Sequence, residues 1–139
     1  MKNTIASIVT VTGSCITSLF GGWTTGVQVL LIMMLLDLIT GIVSALMGKS
    51  DKSQSGALNS YITWKGLVKK IVTILIVCMA YQLDLALGTS VIRDATIIFF
   101  TFNEGTSILE NCGHIGVPLP AIVQRALDVL KEKSDHSEL

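Results

Sequence analysis

Charge is what this chain has least of. Only 14% of its 139 residues are Asp, Glu, Lys or Arg, and none falls between Lys2 and Asp37, a run of 34 uncharged positions. A soluble domain of this size needs far more charge to cover its surface, so a water-soluble globular fold is excluded at the outset. Neither sign is in excess, with ten basic and ten acidic residues, and no basic patch offers itself to nucleic acid.

Residues that could carry chemistry are equally sparse. Cys15, Cys78 and Cys112 lie far apart without a CxxC pair and read as buried or lipid-facing thiols. His114 and His136 are isolated, one in a Gly/Pro turn and one in the tail. No Ser or Cys has a nearby base, no loop suits a phosphate, and no spacing suits a metal. The expectation is a non-enzyme without cofactor, metal or catalytic residue.

What the chain does have is apolar sequence: half of its residues are hydrophobic and mean hydropathy is +0.67. Residues 5–20 place Ser7, Thr10, Ser14, Thr17 and Ser18 on one helical face and Ile5, Ile8, Val9, Ile16, Leu19 and Phe20 on the other. Such a helix lies at the interface, or spans with its hydroxyl face turned from lipid. It is too hydroxylated for a signal-peptide core and shows no small-x-small cleavage site, so it is read as mature sequence. With the glycine turn around Trp23 it makes a first unit, residues 1–26.

Residues 27–47 are the clearest span, with Asp37 as their one charge. Residues 48–66 read as a solvated loop containing KSDKSQSG, and 67–111 as a helical hairpin turning at Gly88. Residues 112–139 hold Pro118 and Pro120, then Ile122, Val123, Ala126, Val129 and Leu130 at helical spacing, then a polar tail. The fold class expected is an all-α integral membrane protein, with three to four membrane helices and a short amphipathic C-terminal helix.

Lys49, Lys52, Lys65, Lys69 and Lys70 crowd the loop and its flank against Asp51 alone, which puts that loop in the cytoplasm. The hairpin then returns the C-terminus to the cytoplasm. The N-terminus joins it there only if the first helix spans.

Ionisable groups within the spans are the informative ones, because a carboxylate at mid-membrane costs roughly 2.5–3.5 kcal/mol on insertion scales. Gly41, Ser44 and Gly48 extend the face of Asp37 as a small-residue stripe. Two readings stand: a packing seam with one satisfied carboxylate, or an oligomeric, pore-lining face. In the last span Arg93, Thr96, Asn103, Glu104, Ser107, Glu110 and Asn111 fall on one broad side. Arg93 and Glu104 are about 16 Å apart along the axis and need partners elsewhere, Asp84 being a mate for Arg93 across the Gly88 turn. The blander alternative ends that helix early and leaves Glu104 onward in the cytoplasm. Candidates for oligomerisation or pore lining are Asp37, Gly41, Ser44, Asp84, Arg93, Asp94, Asn103 and Glu104.

The strings Ile92-Arg93-Asp94, IIFFTFNEGTSILEN and GVPLP, with DLITG, GLVKK and Leu83-Asp84 upstream in order, closely resemble the toxin-secretion and phage-lysis holins. The resemblance covers about residues 30–133, leaving the hydroxyl-rich first helix outside it. It implies a phage- or toxin-locus-encoded protein of the bacterial cytoplasmic membrane. Its partners would be itself, membrane lipid, and functionally an endolysin (murein hydrolase) or large toxin that crosses the lesions it forms. A small ion-coupled transporter using Asp37 or Glu104, and an antiholin, are the alternatives. A dual-start antiholin scheme fits poorly, since the next Met after Met1 is Met33, inside a span.

The lysine asymmetry gives a direct test. With the native cysteines replaced, an impermeant thiol reagent added to intact cells should miss a Ser55→Cys variant and label Thr89→Cys. The opposite pattern would reverse the orientation.

Overall fold

The computed structural model describes residues 2–49, 60–123 and 125, all of them helix, turn or coil. The loop residues Asp51, Lys52 and Ser55, and the amphipathic positions Ala126, Val129 and Leu130, lie outside these. Four helices follow in order: α1 Lys2–Leu19, α2 Thr25–Leu46, α3 Ser60–Leu87 and α4 Val91–Ile115.

Helix α1 satisfies four of its hydroxyls internally. Ser7 and Thr10 donate to the carbonyls four residues back at 2.9 Å, and Thr17 and Ser18 to those three back at 3.0 and 2.7 Å. A Ser/Thr face bonded this way makes no demand on a neighbouring helix, so the hydroxyl stripe need not turn from lipid. The helix stops where Gly21 and Gly22 take positive φ, and it meets the bundle near that end.

Helix α2 starts at Thr24, whose hydroxyl accepts from the Val27 amide at 3.3 Å. It ends as Gly48 and Lys49 amides close on the carbonyls of Ala45 and Ser44. Helix α3 begins at Ser60, seven residues before the apolar run. Gly66 has open space around it and does not break the helix. Consequently Lys69 and Lys70, expected at a loop flank, sit more than two turns inside. Helix α4 runs four residues past Asn111 and closes with Gly116 in the left-handed region, where the Val117 amide reaches Cys112 O at 3.0 Å.

Helix α4 packs against both α2 and α3. It runs parallel to α2: Gly26 meets Ile97, Met33 meets Gly105, and Asp37 meets Asn111. Small residues permit that approach, for Met33 Cε comes within 3.2 Å of where a Gly105 Cβ would stand. Toward one end the bundle is dry, with Val27, Leu30, Met34, Val77 and Ile97 buried together and Phe20, Leu31, Ile74 and Phe100 packed on them.

The outside is as apolar as the inside. Leu35, Leu75, Ile98, Phe99 and Phe102 are each more than half exposed. In water a continuous apolar surface of this kind would aggregate, whereas in a bilayer it faces its proper solvent. Thr25–Leu46 and Thr63–Leu87 are both long and apolar enough to cross a membrane. Among the described residues every regular element is a helix, and the fold suits a membrane protein.

Gly21 joins α1 to this bundle under two separate constraints. Its φ is +79°, and an added Cβ would lie 2.5 Å from the Tyr81 ring and 2.6 Å from Arg93 Nη1. Gly22 has a similar φ of +93° but nothing within 4 Å. Gly21→Ala should therefore destabilise by the left-handed penalty of roughly 1–2 kcal/mol plus the clash, and Gly22→Ala by the penalty alone. Unfolding titrations in mixed micelles should rank the two variants in that order.

Candidate functional site

Three helices each bring one charge to the same place. Lys70 of α3 donates from Nζ to Asp37 Oδ2 on α2 at 2.8 Å and to Glu104 Oε2 on α4 in a short ion pair. All three side chains are largely buried. At 1.5 Å per residue, Asp37 lies about 18 Å along α2 and Glu104 about 20 Å along α4, near the middle of each helix.

Asn111 completes the arrangement seven residues, two turns, beyond Glu104. Its buried amide donates to Asp37 Oδ1 and to Thr40 Oγ1, both at 3.1 Å. Asp37 thus receives an ammonium on one oxygen and an amide on the other. Gly41 lies beside this contact, its missing Cβ only 3.5 Å from Asn111 Nδ2. Ser44, one turn further, is fully buried, and its Oγ has no hydrogen-bond partner among the described residues. Of the small-residue stripe, Gly41 packs within the chain against α4 and Ser44 is buried, while Gly48 is exposed with open space around it.

A second polar cluster closes the other end. Asp84 of α3 accepts from the amides of Ile92 at 3.1 Å and Arg93 at 2.8 Å, and from the Thr89 hydroxyl. These are the second and third amides of α4, the pair an N-cap side chain normally serves, while Ser90 at the cap position contributes no side-chain bond. The carboxylate also lies on the positive end of the helix dipole.

Asp84 was expected to pair with the Arg93 side chain; it takes the Arg93 backbone instead. The guanidinium goes to Asp94 Oδ1 at 2.9–3.0 Å and to the carbonyls of Phe20 and Gly21 at 3.2 and 3.4 Å, with Tyr81 stacked below at 5.8 Å. Arg93 is thus the clasp that holds the end of α1. Asp94 is exposed and serves as its counter-ion.

Of the residues singled out by sequence, Asp37, Gly41, Ser44 and Glu104 come together around the ionic core. Asp84, Arg93 and Asp94 form the second cluster, and Asn103 belongs to neither because its side chain points outward. Glu104 needs no second subunit to be satisfied, since Lys70 already holds it. Lys70 and Asn111 are the participants that sequence reasoning left out of the site. Lys70 looked like loop charge, and the signal that could have found it is the helix-forming stretch ahead of Leu67. Asn111 was placed on the correct broad side, and its two-turn spacing from Glu104 marks a shared face.

The sequence profile of the bacteriophage holin family matches residues 14–132. This chain belongs to that family. The match takes in the last third of α1, beyond the reach of the motifs read from the sequence. Among holin-family relatives, a protein described as a probable holin of Bacillus phage phi105 is 33% identical over 109 residues, 78% of this chain and 76% of that one. An uncharacterised Clostridium perfringens protein is 35% identical over 125 residues, covering 88% and 87% of the two chains. A Listeria monocytogenes relative is 35% identical over 121 residues, covering 86% and 81%. No solved structure matches.

Removing one partner of a buried ion pair leaves the others uncompensated, at about 3–5 kcal/mol. Lys70→Met should cost this holin-family bundle that much in a micellar unfolding titration. Adding Asp37→Asn and Glu104→Gln should recover a large part of it, because neutral amides carry no charge penalty. No recovery in the triple variant would mean that Lys70 acts by packing rather than by charge.

Proposed function

We infer that the chain acts as a holin: it accumulates in the bacterial cytoplasmic membrane and self-assembles into lesions that let a murein hydrolase or a large toxin cross. Family membership carries this reading. The bundle supports it physically. An apolar exterior lets single copies build up in lipid, while polar groups held inside give an assembly something other than hydrocarbon with which to line water.

In this reading α4 is a third span. Its charges are the reason hydropathy alone does not mark it, and Glu104 and Asn111 are turned toward α2 and α3 while Ile98, Phe99 and Phe102 face out. Helices α2, α3 and α4 then cross out-to-in, in-to-out and out-to-in, with the C-terminus cytoplasmic. Helix α1 either adds a fourth crossing or lies at the far interface, tied by Arg93.

Expression alone should stop growth and collapse the membrane potential, and culture turbidity should fall only when a murein hydrolase is co-expressed. Proton flux without passage of any macromolecule would indicate the ion-coupled carrier. Lysis without a hydrolase would overturn the proposal, and absence of any effect unless a second holin is present would indicate an antiholin.

A further inference from the structure

The ionic core is consumed within the chain, so it leaves several polar groups of α4 unexplained: Asn103, Glu110 and the Thr101 hydroxyl, which is buried without a hydrogen-bond partner among the described residues. Ile97, Glu104 and Asn111 mark the inward face of α4. At 100° per residue, the opposite face carries Ala95, Phe102 and Thr106 near its centre, with Phe99, Glu110 and then Asn103 successively toward one edge. Ala95, Phe99, Phe102 and Asn103 are exposed. Thr106 satisfies itself by donating to Phe102 O at 3.1 Å. Asn103 does not: its amide makes no hydrogen bond to any described residue, although it adjoins Glu104 and shares its mid-membrane depth.

An amide at that depth cannot be served by lipid tails and has no water to fall back on. It carries two donors and an acceptor, so it is complementary to a copy of itself. A partner must therefore present a polar group at the same height on an otherwise apolar face. A second copy of this chain, inserted in the same orientation, meets that requirement without further adjustment. We propose that the exposed side of α4 carrying Phe99, Asn103 and Thr106, spaced four and three residues apart, is the seam along which copies of this protein associate in the membrane. The proposal rests on the reading that the chain self-assembles, and it moves the seam away from the Asp37 stripe to the opposite side of α4. Asn103 supplies a hydrogen bond between copies within the membrane, as polar residues do between packed membrane helices, while Phe99 supplies contact area.

The test uses the full chain with Cys15, Cys78 and Cys112 replaced by alanine, reconstituted in phospholipid vesicles. Oxidation should link copies carrying Phe99→Cys or Thr106→Cys and leave Leu75→Cys, on the outer face of α3, monomeric. In energy transfer between labelled copies across a range of lipid-to-protein ratios, Asn103→Leu should weaken association by about 3- to 20-fold, the range typical of one interhelical membrane hydrogen bond, whereas Asn103→Gln should hold it. Unchanged helicity and micellar unfolding in Asn103→Leu would show that the bundle itself is intact. Undiminished association in that variant, or cross-linking at Leu75→Cys in place of Phe99→Cys, would overturn the seam. Leakage of a protein-sized cargo from the same vesicles is scored separately. Leakage by the parent with no Phe99→Cys cross-link defeats the seam and leaves the lesion function standing. Cross-linking with no leakage in any condition leaves the seam and defeats the lesion function.

Discussion

The ammonium of Lys70, held between the carboxylates of Asp37 and Glu104, is the contact on which the bundle depends. It is the point where α2, α3 and α4 all meet through charge, and it lies where each charge would otherwise be expensive. Hydrophobic burial cannot choose among helix arrangements inside lipid, because tails and side chains are equally apolar. A three-way ionic contact can choose. It fixes which faces of three helices turn inward and at what height, and the small residues Gly41 and Gly105 then let α2 and α4 close on that register.

From this follows the division of labour on α4. One side satisfies the interior through Glu104 and Asn111, its first turn is capped by Asp84 from the neighbouring helix, and its outer side mixes apolar residues with Asn103, Thr106 and Glu110. A helix with so many polar residues can lie in a membrane because most of them are already engaged. Under the proposed holin function this matters, since copies would have to be tolerated by lipid before acting together.

Much of this was legible in the residues. The helical class, the Gly88 turn and the family followed from run lengths and from the NEGTSILEN and GVPLP strings. Asp37 and Glu104 stood out because carboxylates are rare in such surroundings. Pairing was not legible, for two reasons. The start of α3 depended on Tyr61, Ile62 and Trp64 continuing a helix across Gly66, and without those turns Lys70 counts as loop. The fate of Arg93 depended on the carbonyls exposed where α1 breaks at Gly21, and backbone acceptors leave no mark in a side-chain pattern. Periodicity also grouped Asn103 with Glu104 on one polar side, although neighbours on a helix point 100° apart and packing against α2 separates them.

The shared ammonium has a consequence for biogenesis. Asp37 leaves the ribosome 33 residues ahead of Lys70, so at about 5–20 residues per second α2 waits about 2–7 s for its counter-charge. Glu104 emerges later still, and meets an ammonium already present. In vectorial synthesis α2 is thus made without its counter-charge, and the hairpin that follows delivers both the missing cation and its second anion.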